Sequence, residues 1–137
     1  MENLEANNLM NRRKHARLDI ALSVSYALRT AQGETSEIAE ALSSDISASG
    51  IRLMTPSPLK PGDILDLEII IHGEDLPIHA SGEVVWQSKI SETSYETGAI
   101  IRHIADGEKQ RFLGFIFDQL ARLVGDDSKS ESGKTLH

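Results

Sequence analysis

The stretch Ile-Leu-Asp-Leu-Glu-Ile-Ile-Ile at residues 64–71 carries the clearest structural pattern of the chain. Leu65, Leu67, Ile69 and Ile71 fall on one side of an extended backbone, and the two acidic residues fall on the other. A two-residue period of this kind is typical of a β-strand with one face buried in a core. Glycine-containing turns precede and follow the stretch, so we predict a short strand between two turns.

The same period recurs along the chain and then gives way to a helical one. It predicts strands over residues 18–26, 64–71, 78–86 and 95–103, a less regular strand over 36–47, and another that begins at Ile51. After Asp106, a predicted N-cap, apolar residues recur every three or four positions as far as Val124, and Gly125 is a predicted helix end. We therefore expect an all-β fold, a six-stranded antiparallel β-barrel with a C-terminal α-helix.

The chain of 137 residues is long enough for one domain. We place that domain at residues 11–124, with an arm at 11–17, the barrel at 18–104 and the helix at 106–124. Residues 1–10 and 125–137 are polar and cannot bury a core. We therefore expect a disordered N-terminal arm and a disordered tail.

Composition excludes several classes of protein. The chain has no cysteine, which rules out disulfides and thiolate metal sites. It has no apolar run long enough for membrane insertion and no secretory start, so we expect a cytoplasmic protein. The net charge is −7, yet four of the 14 Lys and Arg residues lie within residues 11–17. An acidic body with one basic arm disfavours a nucleic acid duplex and suits a small anion better.

Two short motifs stand out in this setting. The first is Arg13-Lys14-His15-Ala16-Arg17, an R-x-x-x-R arrangement directly before the first strand. The second, at residues 45–50, is Asp-Ile-Ser-Ala-Ser-Gly, a D-x-S-x-x-G arrangement. In this order and about 30 residues apart they resemble the PilZ domain family. Residues 82–86 (Gly-Glu-Val-Val-Trp) are similar to the family's Gly-x-Val-x-Trp strand, and residues 95–101 to its closing strand.

The resemblance covers roughly residues 11–124 and implies a PilZ-type barrel that binds cyclic di-GMP, a bacterial second messenger. The family's ligand residues correspond to Arg13, Arg17, Asp45, Ser47 and Gly50. An Arg directly before the first motif, here Arg12, is associated in the family with an intercalated ligand dimer. One departure is Ile101, where the family often has Phe, and it affects barrel packing rather than the ligand site.

The chemistry of the motif residues agrees with this resemblance. A carboxylate at Asp45 can accept paired N–H bonds from the Watson–Crick edge of guanine, and Arg side chains bind phosphate or the O6 and N7 edge. Asp45 and Ser47, two apart on a strand, are expected to leave the same face, with Ser47 bonding phosphate or guanine. Gly50 is expected to allow a sharp turn or close approach to the ligand. We expect the arm with Arg13 and Arg17 to be mobile and to become ordered on binding, which would signal to an unidentified protein.

Other residues give no competing site. We find no nucleophile–base pair and no nucleotide fingerprint, so we expect no enzyme, and no cofactor or metal. His72, His79 and His103 lack ligand-like spacing and are expected at the surface, while Trp86 is expected in the core or at its rim. Two alternatives stay open: a PilZ-like protein-interaction scaffold that binds no nucleotide, and an RNA-binding small barrel. Ligand stoichiometry, homodimer formation and the downstream process also stay open.

Overall fold

The computed structural model describes the backbone of residues 17–136 and the side chains as far as Leu123. In these residues six β-strands are followed by one α-helix. The strands are β1 Ser23–Arg29, β2 Ala39–Ile46, β3 Gly50–Thr55, β4 Ile64–Ile69, β5 Ile78–Ser91 and β6 Ser94–Ile104, and the helix α1 is Asp106–Leu136. Within the described residues, no helix combines the length and apolar character that crossing a bilayer requires.

The strands close into a barrel in the order β1-β2-β3-β6-β5-β4, with every neighbouring pair antiparallel. Strand β1 completes the circle because it pairs with β2 on one side and with β4 on the other. Closure pairs the edge strands that would otherwise present unpaired backbone groups. The predicted six-stranded antiparallel barrel with a C-terminal helix is confirmed.

The barrel interior is filled by the apolar side of the alternating strands. In β4, Leu65, Leu67 and Ile69 are buried and Glu68 is exposed, as the sequence pattern predicts. Helix α1 adds Phe112 and Ile116, both fully buried, to the same core cluster. Each such side chain stabilises the fold by about 1.5–3 kcal/mol relative to an exposed position. The helix therefore belongs to the barrel core.

The N-terminal strand differs from the prediction of residues 18–26, because β1 begins only at Ser23. The hydroxyl of Ser43 on β2 accepts a hydrogen bond from the backbone N–H of Leu22 (2.8 Å) and donates to the carbonyl oxygen of Ile20 (2.5 Å). The backbone N–H of Ser43 still donates to the carbonyl oxygen of Leu22 (3.0 Å), but its hydroxyl takes the place of the remaining ladder bonds between this segment and β2. Before this break, Leu18 forms an isolated bridge with Ile46.

Other strands begin or end at residues that differ from the predicted bounds. Strand β5 runs on to Ser91, beyond the predicted end at residue 86, because it pairs with β6 in a long hairpin that closes at Ser91 and Ser94. Backbone pairing extends this hairpin into solvent, where alternation of apolar residues is not needed. Strand β2 is shorter than the predicted 36–47, and the predicted strand at Ile51 begins one residue earlier, at Gly50.

Helix α1 differs from the prediction at both ends. Asp106 lies in the first turn, and the carbonyl of Ala105 accepts the N–H groups of Glu108 and Lys109, so Ala105 holds the cap position. The backbone helix continues past Gly125, the predicted end, to Leu136, where we expected a disordered tail. A glycine inside a helix costs only about 1 kcal/mol relative to Ala. A helix also satisfies its own backbone groups without burying a core.

A histidine joins the start of α1 to the barrel. The backbone N–H of His79 on β5 donates to Glu108 Oε2 (2.7 Å), and its Nδ1 lies 2.8 Å from Glu108 Oε1. Its Nε2 lies 3.2 Å from Glu68 Oε1 on β4. The hydrogen bond with Glu108 raises the pKa of His79 above its ordinary 6.5, and the same contact lowers the pKa of Glu108.

These directions predict how stability depends on pH. Because the pKa of His79 is raised in the folded state, its contribution is fully present below pH 6.5 and is lost as pH rises through the folded pKa. The contribution of Glu108, whose pKa is lowered, is lost only in acid. As pH rises through the folded pKa of His79, we expect the free energy of unfolding to decrease by less than about 1 kcal/mol, because the pair is exposed.

The measurement is urea unfolding at about pH 5.5 and about pH 8.5, for the natural protein and for His79→Gln. The decrease between the two pH values should be smaller in His79→Gln. An identical decrease in both proteins would show that His79 does not contribute.

Candidate functional site

Asp45 is turned toward the outside of the barrel by an irregularity in β2. The pairing of β2 with β3 shifts register between Ser43 and Asp45, so that Asp45 lies opposite Arg52 while Ser43 and Ile46 are buried in the barrel. A bulge of this kind re-aims side chains, and such bulges are common beside functional sites. Although it points outward, Asp45 is only 6% exposed.

Two guanidinium groups cover this carboxylate. Arg17 Nε donates to Asp45 Oδ1 at 2.5 Å, and Arg52 Nε lies 3.1 Å from Oδ2. The backbone places Arg17 here, since Leu18 next to it exchanges two hydrogen bonds with Ile46 (2.7 and 2.9 Å). Two positive groups around one negative group leave a net charge of about +1, which favours an anion.

Ser47 follows Ile46, the last residue of β2, and its backbone N–H donates to the carbonyl oxygen of Gly50 (2.8 Å). Its hydroxyl is turned into the β2–β3 hairpin, where it accepts the N–H groups of Gly50 (3.1 Å) and Ser49 (3.3 Å). The residue is 1% exposed. Serine commonly bonds the backbone within turns in this way. In this structure Ser47 shapes the loop that follows Asp45, and a shared face with Asp45 stays a prediction.

Gly50 allows β3 to approach β6 closely. A Cβ atom at this position would lie 3.1 Å from the carbonyl oxygen of Ala99 and 3.9 Å from Arg17 Nη1. The first distance is tighter than an ordinary van der Waals contact, so a larger residue would push the strands apart. The expected close approach is therefore one to a neighbouring backbone, directly beside Arg17.

Arg12 and Arg13 lie outside the described residues. Of the predicted site residues, the structure brings Arg17, Asp45 and Gly50 together on the outer surface of β2, β3 and β6, with Ser47 in the adjoining turn.

Two residues missed by the sequence analysis complete this surface. Arg52 follows the second motif, and Trp86, expected in the core or at its rim, is 37% exposed on the outside. The guanidinium carbon of Arg52 lies over the Trp86 ring, 5.8 Å from its centroid, within cation–π range. A hairpin argument could have found Arg52, since Asp45 and Arg52 are equally far from the bends at Ala48 and Ser49.

A shallow pocket of about 190 Å³ lies at this surface. It is lined by the two guanidinium groups, the indole and the backbone of the glycine-bearing strands, through residues Arg17, Gly50, Arg52, Trp86, Gly98 and Ile100 among others. Typical pockets for small ligands have about 300–1,000 Å³. The described residues therefore offer room for part of a nucleotide-sized ligand.

A larger cavity of about 660 Å³ lies elsewhere, on the outer surface of β1, β4 and β5. Its charged groups are already paired: Arg29 with Asp66, and His79 with Glu68. Two carboxylates line this cavity and would repel an anion. This cavity is the larger of the two, but its charges are balanced. The smaller pocket has an excess of positive charge from Arg17 and Arg52, so an anionic ligand is expected to bind there.

The three histidines lie at the surface, as expected. His79 binds carboxylates of β4 and α1, as described above. Across the part of the chain that the structure describes, His, Asp and Glu side chains form no group of three or more suited to hold a metal ion.

Comparisons with known proteins agree with this architecture. The model of the PilZ domain matches residues 11–118. Bacillus subtilis MotI/DgrA, an inhibitor of motility, superposes with a TM-score of 0.64 at 22% identity, over 81% of this chain and 52% of that one. The K. pneumonia MrkH–c-di-GMP complex superposes with a TM-score of 0.57 at 18% identity, over 78% of this chain and 51% of that one. The PilZ domain of Escherichia coli YcgR with c-di-GMP superposes with a TM-score of 0.51 at 16% identity, over 86% of this chain and 98% of that one.

This chain thus spans about half the length of MotI and MrkH. No curated protein sequence matches it significantly. The likeness to the solved structures shows the shared fold, and the family match covers both motifs and the whole barrel. The chain belongs to the PilZ domain family.

Proposed function

We propose that this protein is a receptor for cyclic di-GMP and acts as a binding module rather than an enzyme. The observation that carries the proposal is the carboxylate of Asp45, 6% exposed and held between Arg17 and Arg52 beside an open pocket. A buried carboxylate with fixed orientation can read a base, and an excess of positive charge favours a phosphate. Cyclic di-GMP carries two guanine bases and two phosphates.

Asp45 supplies the specificity in this proposal. An ionised carboxylate has about four lone-pair sites; Oδ1 accepts Arg17 Nε, and Oδ2 faces Arg52 Nε at 3.1 Å. The remaining sites can accept the N1–H and N2–H groups of guanine. Adenine presents an acceptor at N1, which would face the carboxylate and be repelled. We therefore expect the guanine dinucleotide to bind and the adenine dinucleotide to be rejected.

Arg17 and the residues before it would bind phosphate and the second base. The pocket is too small for a whole dinucleotide, so the rest of the ligand needs partners outside it. Arg12 and Arg13 lie within four or five residues of Arg17, a reach of roughly 13–18 Å for an extended chain. We keep for Arg12 the role of stacking on an intercalated ligand dimer, and for Ser47 a supporting role in shaping the loop.

The proposed output is a change in the arm. Arg17 is already held on Asp45 in this structure, so the ordering step that we infer concerns the residues before Arg17. Fixing each residue costs about 1–2 kcal/mol, which charge-assisted bonds of about 1.5–3 kcal/mol must exceed. An ordered arm would present a new surface to a downstream protein in the bacterial cytoplasm.

Known structures of the fold support this proposal. MrkH and YcgR, which share the fold, were solved as complexes with c-di-GMP. Their low identity to this chain leaves the ligand to be tested directly here.

The test is calorimetric titration of the full chain with cyclic di-GMP and, separately, with cyclic di-AMP. We expect saturable binding of the guanine ligand only, weakened by salt because the ligand is a dianion. A stoichiometry of two ligands per chain would support the role of Arg12. Equal binding of both ligands would overturn the role of Asp45. No binding of either would favour the interaction scaffold.

A further inference from the structure

Four residues form a continuous row across four neighbouring strands of the barrel. Asp45 on β2 pairs with Arg52 on β3, Arg52 pairs with Gly98 on β6, and Gly98 pairs with Trp86 on β5. A register shift lies at each end of the row, between Ser43 and Asp45 and between Val84 and Trp86. Each shift lies directly before the residue at that end of the row, Asp45 or Trp86. The two ends of the row are therefore aimed outward by bulges, which redirect side chains.

Gly98 leaves the space that joins the ends of this row. A Cβ atom at Gly98 would lie 2.3 Å from Trp86 Nε1 and 2.4 Å from Cε2, distances that no real contact allows. The indole therefore lies across the Gly98 backbone and extends toward β3. There it meets the guanidinium of Arg52, whose central carbon is 5.8 Å from the ring centroid.

Arg52 makes two contacts at once. One is the ion pair with Asp45 Oδ2 (3.1 Å), and the other is the cation–π contact with Trp86. Exposed ion pairs usually contribute little, because water competes for both charges. Here the carboxylate is 6% exposed, so loss of Arg52 would leave a mostly buried charge with one guanidinium partner fewer.

We propose that Arg52, which lines the pocket, is a positioning residue for ligand binding: it holds the Asp45 carboxylate beside the pocket and the Trp86 ring at its wall. The proposal rests on the proposed function and adds a residue outside both motifs. Arg52 acts through its neighbours: it holds Oδ2 from one side while Arg17 holds Oδ1 from the other. The remaining lone pairs of the carboxylate are then presented in a fixed plane, which lowers the cost of ordering the site on binding.

The arrangement requires arginine rather than any cation. A guanidinium is planar, so it can stack on an indole with its face while its edge donates to a carboxylate. A lysine ammonium carries the same charge but lacks the plane. Lysine at this position would therefore keep the positive charge of the pocket and lose the link between Asp45 and Trp86.

The experiment compares the natural full chain with Arg52→Lys, Arg52→Ala and a control, Arg102→Ala. Arg102 is also an outward arginine, pairs with Glu83 on β5, and does not line the pocket. Trp86 is the only tryptophan of the chain, so its emission reports on this site alone. The measurements are the emission spectrum without ligand and the affinity for cyclic di-GMP by calorimetry.

We expect both Arg52 variants to shift the Trp86 emission and to bind cyclic di-GMP about tenfold more weakly, the loss of one charge-assisted contact. Arg52→Lys should keep the natural salt dependence, and Arg102→Ala should behave as the natural protein. Natural affinity in Arg52→Ala, or full rescue of emission and affinity by Arg52→Lys, would overturn the inference.

The two proposals fail in different ways. Absence of binding in the natural protein would reject the receptor function, whatever the variants do. In that case the positioning of Trp86 by Arg52 is still decided by the emission spectra, and an unchanged spectrum in Arg52→Ala would reject it as well.

Discussion

Replacing Arg17 with alanine is expected to weaken binding of cyclic di-GMP by about 100-fold or more. Arg17 donates to Asp45 Oδ1 and lines the pocket, so the variant removes one proposed ligand contact and one support of the carboxylate. Two charge-assisted contacts of about 1.5–3 kcal/mol each correspond to a loss of about two or more factors of ten. The measurement is calorimetric titration of both proteins under the same salt conditions.

Arg29→Ala is the matched control for this variant. Arg29 also pairs with an aspartate, Asp66, but lies at the larger cavity on the far side of β1. We expect Arg29→Ala to bind with natural affinity. We also expect Arg17→Ala to remain folded, because Arg17 precedes the barrel and Asp45 keeps its ion pair with Arg52. Natural affinity in a folded Arg17→Ala protein would remove Arg17 from the site.

Replacing Phe112 with alanine is expected to lower the free energy of unfolding by about 3–5 kcal/mol. Phe112 is fully buried and packs in the core cluster shared by the helix and the barrel. The loss combines the transfer of the ring to water with the cavity left behind, which the closed barrel can collapse only in part. Chemical unfolding followed by circular dichroism measures this change.

Phe117 on the same helix provides the comparison, since it is 42% exposed. Phe117→Ala should cost less than about 1 kcal/mol, as substitutions of exposed residues usually do. Similar losses in the two variants would mean that the buried face of the helix does not belong to the barrel core.

Much of the fold follows from the sequence because alternation and core burial obey the same period. Leu65, Leu67 and Ile69 are buried as predicted, and so is Phe112 in the helix. The errors arose where another interaction replaced burial. Ser43 interrupts the first strand through its side chain, and the β5–β6 hairpin extends into solvent through pairing alone.

The candidate site was predictable only in part, for a related reason. The two motifs identify Arg17 and Asp45 by residue type and spacing, and the barrel brings these residues into contact. Ser47 lies just beyond the end of β2, and its hydroxyl accepts backbone N–H groups of the turn, contacts that alternation along a strand does not predict. Arg52 joins the site through the β2–β3 hairpin, whereas Trp86 joins it through a bulge in β5 that no local pattern defines.

The most direct test of the central claim is to map the binding surface by an NMR titration of the labelled full chain with cyclic di-GMP. We expect the largest shifts on the backbone amides of residues 45–52 and on the indole N–H of Trp86. Amides around the larger cavity, such as those of Ser25 and His79, should barely move. Shifts concentrated at that cavity instead would contradict the assignment of the site to Asp45 and its two arginines.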